Sequence, residues 1–348
     1  MNWANVYPSL NLAHGGPVSV GCIKQQLEDF VVEEELAFIP DGAGEHEFLF
    51  IEKYGLNTTD VQRLLARLYQ LPAQRVSYAG LKDRQGVTRQ WFSVHAGLKH
   101  AAPRIDELPV TVKVLQRLRN SRKLQRGSHR GNRFTLKVRG CAATTAQLLE
   151  QRLGLIRARG VPNYFGYQRF GRDADNLAQV ARWFADPLQQ PSSRTQRGLL
   201  LSSARSLIFN AVLSERVAAG NWNHILPGEV VALSGTASSF ASHRAGAEEL
   251  QQRLQQFDIH PTGPLWGSGE ADVTGEVARL ESEVAGRYRE FALGLQQEGL
   301  RQERRALRLA VQNLQAGYED GVLQLSFSLT RGAYATAVLR ELVELESA

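Results

Sequence analysis

One carboxylate in this sequence is set apart by its neighbours. Asp83 lies in the run Tyr78-Ala79-Gly80-Leu81-Lys82-Asp83-Arg84-Gln85-Gly86-Val87-Thr88-Arg89-Gln90-Trp91. Gly80 and Gly86 bracket a tight loop, because glycine adopts backbone angles that other residues avoid. The loop follows a short apolar strand with Val76 and Tyr78 and precedes a strand beginning at Thr88. Such a loop can hold one carboxylate at a fixed place beside a sheet. Lys82, Arg84 and Arg89 should surround it with positive charge, which favours the ionised form and attracts a phosphate backbone. A carboxylate so placed can act as nucleophile or base. On spacing alone, an Asp making a turn hydrogen bond fits equally well.

Two further segments carry nucleic-acid chemistry. Arg126-Gly127-Ser128-His129-Arg130-Gly131-Asn132-Arg133-Phe134 combines small and basic residues with an amide and an aromatic ring, suited to close backbone approach, base-edge bonding and stacking. It also fits a Gly-rich turn entering a strand at Phe134. Pro162-Asn163-Tyr164-Phe165-Gly166-Tyr167-Gln168-Arg169-Phe170-Gly171 interleaves aromatics with Arg169, as an RNA-facing turn or as a packing joint. From Leu108 to Leu149 there is no Asp or Glu, while Lys113, Arg117, Arg119, Arg122, Lys123, Arg126, Arg130, Arg133, Lys137 and Arg139 all fall there. A one-signed block of that length points to a polyanion, RNA or DNA.

Other chemistries lack their signatures. Gly42-Ala43-Gly44-Glu45-His46 has no Lys-Ser/Thr of a phosphate loop, and His46-Glu47 has no second His of a zinc protease helix. Cys22 and Cys141 have no neighbours at metal-ligand spacing, so no metal site is expected. No cofactor signature is present, and the chemistry is expected to come from side chains alone. Net charge is +6 and charged residues make up 22%, ordinary for a globular chain. Met1 to His14 lacks a basic region followed by an apolar run, and no segment approaches a membrane span. The expected location is cytoplasmic, with no membrane partner.

The elements that must position these residues are legible in outline. Strands are predicted at Phe30–Glu35, Phe48–Glu52, Thr88–Val94, Val110–Val114 and Phe134–Val138, with the basic stretch as a long hairpin loop between the last two. A helix is predicted from Thr58 to Tyr69, with Thr59 and Gln62 as capping box and Val61, Leu64, Leu65 and Leu68 as apolar stripe. Helices follow at Thr145–Ala158, Ala204–Ala218, Glu248–Gln256 and Val273–Ala285, with a loop at Gln189–Arg197. Alternation returns at Leu307, Leu309 and Val311 and at Leu323, Leu325, Phe327 and Leu329, before a closing helix, Tyr334–Leu345. Strands at both ends and a helical middle predict one sheet domain carrying an insertion.

At these residues the sequence resembles the TruD family of tRNA pseudouridine synthases. Gly80-Leu81-Lys82-Asp83-Arg84 resembles the family's catalytic motif, with Asp83 at its invariant aspartate. Asp29-Phe30-Val31-Val32-Glu33, with Lys24 before it, resembles the N-terminal motif. Gly131 to Phe134, Asn163 to Gly171, Ser206 to Asn210 and Gly332 to Thr336 match others. Thr330 departs from the family's usual proline, which loosens a turn.

The resemblance implies an α+β fold: a pseudouridine synthase catalytic core with a mixed, largely antiparallel sheet in residues 1–157 and 305–348, and an inserted α/β TRUD domain in residues 158–304. It implies isomerisation of uridine to pseudouridine at position 13 of tRNA, without cofactor or metal, by a monomer. Asp83 would be the catalytic carboxylate. Phe134 would stack on the uracil and Asn132 would bond to substrate. Phe30 and Phe327 would line the pocket, and Lys24 would pair with Asp83. The chief rival reading is a non-catalytic RNA-binding protein, but binding a polyanion gains nothing from a carboxylate in the middle of the patch. An RNA methyltransferase would need a Gly-rich cofactor loop that the sequence lacks.

Overall fold

A computed structural model describes residues 3–98, 107–141, 146–270 and 272–346. The chain forms two compact units. One comprises Met1–Pro17, Gly154–Ala310 and Ala333–Leu342; the other comprises Val18–Leu153, Val311–Gly332 and Val343–Ala348.

The second unit is built on a mixed sheet of eight strands: β1 (Phe30–Leu36), β2 (His46–Tyr54), β3 (Val76–Tyr78), β4 (Val87–His95), β5 (Val112–Asn120), β6 (His129–Arg139), β7 (Gln312–Glu319) and β8 (Val322–Thr330). The order is β7-β8-β6-β1-β4-β2-β5, and β3 also pairs with β4. Every pairing is antiparallel except β1 with β4, where Val31 faces Val87 and Glu33 faces Arg89. That parallel pair brings the N-terminal ends of β1 and β4 to the same edge. β2 runs the other way, with Tyr54 opposite Val87, so its C-terminal end arrives there too. The loops preceding β1 and β4 and the loop following β2 therefore share one edge of the sheet.

β4 is buried along almost its whole length, as a central strand must be. A helix at Thr58–Leu68 lays Val61 and Leu65 on a core with Leu49, Ile51, Phe92 and Val94. Its capping box is Asn57 with Asp60, whose carboxylate accepts from the Asn57 N–H at 3.1 Å, and not Thr59 with Gln62. Gln62 instead donates to the carbonyls of Ala73 and Val76, tying the helix to β3.

Three other expectations change. The basic stretch is no hairpin loop: it forms β5 and β6, which lie apart in the sheet, and only residues 121–128 join them. Alternation of cations with apolar residues let both strands extend further than the apolar runs suggested. The helix expected from Ala204 begins at Arg194, capped by Ser193, so the end of the expected loop, Arg194 to Arg197, is its first turn, while 190–193 stay outside it. The closing helix spans only Ala335–Leu339, and Val343–Leu345 pairs in parallel with Ser19–Gly21 instead. Thr145, the expected start of one helix, lies outside the described residues; that helix is seen from Ala146 to Arg159.

The first unit packs helices Asp175–Ala185, Arg194–Ala218, Gly275–Arg287 and Arg289–Gln297 around Leu177, Val180, Leu207, Ile208, Val284 and Leu295. A four-stranded antiparallel sheet accompanies them, in the order Ser239–Ala241, Val230–Leu233, Ile259–Leu265, Glu303–Ala306. Inside it the Arg216 guanidinium meets the Glu229 carboxylate at 3.0 Å, both side chains fully buried.

Two glycines in the second unit are there for close approach. A Cβ on Gly131 would sit 2.3 Å from the Leu329 carbonyl oxygen, across the β6–β8 pairing. Gly86 has φ +151°, and a Cβ there would lie 2.5 Å from the Phe30 carbonyl oxygen. Gly86→Ala is therefore expected to push β1 from β4 and to lower stability by about 1–3 kcal/mol, measured by urea unfolding. An unchanged midpoint would show that the strands can part at this point without cost.

Candidate active site

The backbone from Ala79 to Gly86 lies between strands, so its polar groups need partners from elsewhere. Buried side chains supply them. Gln90 on β4 donates through Nε2 to the Gly80 carbonyl at 3.2 Å. The Thr58 hydroxyl accepts from the Lys82 N–H at 2.9 Å and donates to Gln90 Oε1 at 2.8 Å. Lys53, near the end of β2 and wholly buried, donates through Nζ to the carbonyls of Asp83 at 2.8 Å and Leu56 at 2.6 Å. Gly127 N–H closes the other end on the Ala79 carbonyl at 2.8 Å.

These bonds fix the Asp83 backbone and leave its side chain exposed. It stands on the wall of a cleft of about 560 Å³ lined by Lys24, Leu27, Gly55, Asp83, Arg84 and Gln85. The three lining segments are those that the parallel β1–β4 pairing brings to one edge. Burial pulls the Lys53 ammonium down to about 8, against the opposing attraction of the Asp83 charge. Among the described residues Lys53 is the cation bonded to this part of the loop, and nothing in the motif itself points to it.

The expected shell of cations around Asp83 is not what forms. Lys82 Nζ turns to Glu34 Oε2 at 2.8 Å and Asn132 Oδ1 at 2.7 Å. Arg89 is held by Glu52 at 2.8 Å and Glu33 at 3.1 Å, and Arg84 Nε donates to the Gly55 carbonyl at 3.3 Å. Among the described residues no cation is in ion-pair contact with the Asp83 carboxylate. The reason is competition: Glu34 is buried, and a buried carboxylate left unpaired costs far more than an exposed one.

The aromatic candidates form a row across one face. Phe134 on β6 and Phe327 on β8 face each other in register and stack with ring centroids 5.5 Å apart. Phe30 on β1 meets the edge of Phe134 at 6.3 Å. All three are largely buried, with Phe134 7% exposed. Lys24 Nζ lies 4.0 Å from the Phe30 ring centroid, a cation–π contact. Lys24 thus shares the cleft with Asp83 while its ammonium rests on Phe30. Asn132 precedes Phe134 by two residues on the same face. His129, at the head of β6 and beside Gly80, is pushed down to about 4 by burial and by the charges of Lys82 and Arg331.

The basic stretch is partly spent inside the unit. Arg117 pairs with Glu47, and Arg139 meets Asp29 at 2.7 Å. Arg122, Lys123 and Arg130 are exposed, as is Arg126, whose guanidinium lies 3.6 Å from the Tyr78 ring centroid. The aromatic segment Asn163–Gly171 belongs to the first unit, where Tyr164, Phe165 and Phe170 are packed in that unit's own core and Tyr167, alone among the four aromatics, is well exposed. Among the described residues no cluster of three metal-ligating side chains occurs, and no helix is long and apolar enough to cross a membrane.

With this geometry in place, likeness to other proteins is informative. The family model for tRNA pseudouridine synthase D (TruD) matches residues 12–187 and 188–342. The tRNA pseudouridine synthase D of Nitrosococcus oceani is 46% identical over 342 residues, covering 97% of this chain and 95% of that protein. That of Azotobacter vinelandii is 45% identical, covering 96% and 94%. The crystal structure of a putative tRNA pseudouridine synthase D from Methanosarcina mazei superposes with a TM-score of 0.70 over 96% of this chain and 94% of that one, at 23% identity.

The depressed Lys53 value has a checkable consequence. Between about pH 8 and pH 10.5 the folded protein holds this site unprotonated while the unfolded chain holds it protonated. Unfolded binds more protons, so this group's contribution to stability rises with pH across that window. The stability difference between wild type and Lys53→Met is expected to grow in favour of wild type by up to about 3 kcal/mol over that range. Chemical denaturation of both proteins at several pH values measures it. A difference that stays flat would mean that Lys53 is not desolvated.

Proposed function

The chain belongs to the tRNA pseudouridine synthase D family, and from that premise we propose that it isomerises a uridine of tRNA to pseudouridine, at position 13, with Asp83 as the reacting carboxylate. The observation that carries this reading is the placement of Asp83: backbone tied by Lys53, Thr58 and Gln90, carboxylate free on the wall of an open cleft. A residue serving only to shape a turn would spend its side chain on the turn.

The target uridine must leave the base stack before its glycosidic bond can be reached. Asp83 then acts on the ribose, the bond from C1′ to the ring nitrogen breaks, the uracil turns, and C1′ joins C5; C5 loses its proton and the freed ring nitrogen gains one, so the product is an isomer of the substrate. Phe134, Phe30 and Phe327 provide the apolar wall for the base, Asn132 a hydrogen-bonding group, and Lys24 a cation in the same cleft, resting on Phe30. Residues 158–304 are proposed as the inserted domain and as a second grip on the RNA. They fall within a single compact unit, contain no lysine, and expose Arg159, Arg194 and Arg244. A deletion of that region would strip Asn11 of Ser214 and Arg340 of its place over Tyr164, so surface substitution is the cleaner test.

Asp83→Asn is expected to lower tritium release from carbon-5-labelled uridine in tRNA by at least roughly 10²–10⁴-fold, with tRNA affinity within a few-fold of wild type. Appreciable turnover by this variant would remove Asp83 from the chemistry, and a wild type that binds tRNA without turnover would favour the RNA-binding reading. Pseudouridine mapping of the product locates the modified position.

Arg122→Ala/Lys123→Ala/Arg126→Ala is expected to flatten the salt dependence of tRNA binding by roughly 0.7–0.9 log units per lost phosphate contact. Arg159→Ala/Arg194→Ala/Arg244→Ala tests the second grip in the same titration. An unchanged slope in either variant would leave that set of side chains in solvent.

A further inference from the structure

Besides Lys53, a second cation enclosed near the cleft is Lys82, the residue just before Asp83. Its side chain is 5% exposed and that of Glu34 is 0% exposed, with the charged groups 2.8 Å apart. Glu34 is itself fixed, since its Oε1 accepts from the Trp91 N–H at 3.2 Å. Lys82 is fixed at its other end by its own N–H on the Thr58 hydroxyl. Glu34 and Asn132 face each other in the β1–β6 register, so the ammonium bridges a cross-strand pair.

We infer that Lys82, locked by Glu34, sets the Asn132 amide so that it presents N–H donors to a carbonyl oxygen of the target base. An ammonium has donors and no acceptor, so the amide atom facing it at 2.7 Å must be Oδ1. The Nδ2 group is then turned away from Lys82, and among the described residues no protein acceptor receives it. Two residues along the strand, on the same face, stands Phe134 with the aromatic row. A fixed donor beside an aromatic wall suits a uracil carbonyl. At C4 uracil has that carbonyl where cytosine carries an amino group, itself a donor, so a donor locked toward C4 would also favour uracil. Without Lys82 the amide can flip, and the distinction is lost. Lys82 and Glu34 are positioning residues in this scheme, acting through Asn132. The same ion pair pins the loop that carries Asp83 to the sheet, so base recognition and the reacting carboxylate share one anchor. The inference rests on the functional reading given above.

Asn132→Asp separates recognition from packing. The aspartate keeps an oxygen for Lys82 but has no N–H to donate, and its second oxygen would meet the base carbonyl. It is expected to fold with an unchanged melting temperature, to bind tRNA within a few-fold of wild type, and to lose turnover by roughly 10²-fold or more. Retained turnover would overturn the inference. Lys82→Met leaves Glu34 buried without a counter-ion and can fail to fold, so the companion variant is Glu34→Gln/Lys82→Met, which removes both charges. It is expected to lower kcat by about 10-fold or more with KM for tRNA little changed. In that background Asn132→Ala should cost much less than it does in wild type; an equal cost in both would overturn the lock. Side-chain amide NMR reads the lock without turnover: the Asn132 NH₂ signals should move in the double variant, and unmoved signals would refute it even if the functional reading failed.

Discussion

A buried ammonium bonded to two backbone carbonyls is the constraint on which the candidate site depends. Placing Lys53 inside the sheet costs desolvation, seen in its depressed value of about 8. What it provides is a pair of donors to Leu56 and Asp83, in a stretch of chain that has no strand partner to satisfy it. Gln90 and Thr58 do the same for Gly80 and Lys82. The loop is thus held by its backbone from beneath. The Asp83 carboxylate need make no structural bond, and a carboxylate that makes none is free for substrate.

This arrangement explains what the sequence showed and what it hid. The Asp83 loop was legible because glycines at 80 and 86 mark a turn, and the Phe134 and Phe327 strands because their residues alternate; Phe30 sits in a run that does not alternate, and the family resemblance brought it forward. The helix at Thr58–Leu68 was legible from its apolar stripe. Lys53, Thr58, Gln90 and Glu34 were not. Each is a polar residue in a stretch whose local pattern reads as an ordinary half-exposed strand or helix end, Glu34 between two other glutamates and Thr58 between Asn57 and Thr59. Their burial follows from pairings across the sheet that no local pattern encodes. The cations of the motif misled for the same reason, since Lys82 and Arg89 answer to acids brought near by β1 and β2.

Charge in the acid-free stretch also reads differently in three dimensions. Arg117 and Arg139 are matched by Glu47 on β2 and by Asp29 just before β1, residues distant in sequence and brought near by the sheet. Such partly buried pairs hold strands in register and add little to a long-range field. The residues left to face a polyanion are concentrated in the turn between β5 and β6 and along the exposed face of β6. The charge available to RNA is therefore smaller than a count along the chain suggests, and more localised.

The one parallel pairing within the eight-stranded sheet, β1 with β4, has a consequence for how the protein comes to be active. Antiparallel neighbours such as β7 and β8 can form as the chain doubles back, but Val31 and Val87 meet only after β2, the helix and β3 have been looped out. Contacts of long sequence separation form late because loop closure must precede any gain from them. The edge that carries Lys24, Gly55 and Asp83 is incomplete until that step, whatever the helices have already done. Catalytic competence should then trail helical signal during refolding, and the interval between the two would time the closure of the sheet's long-range pairs, β1 with β4 and β6 with β8 among them.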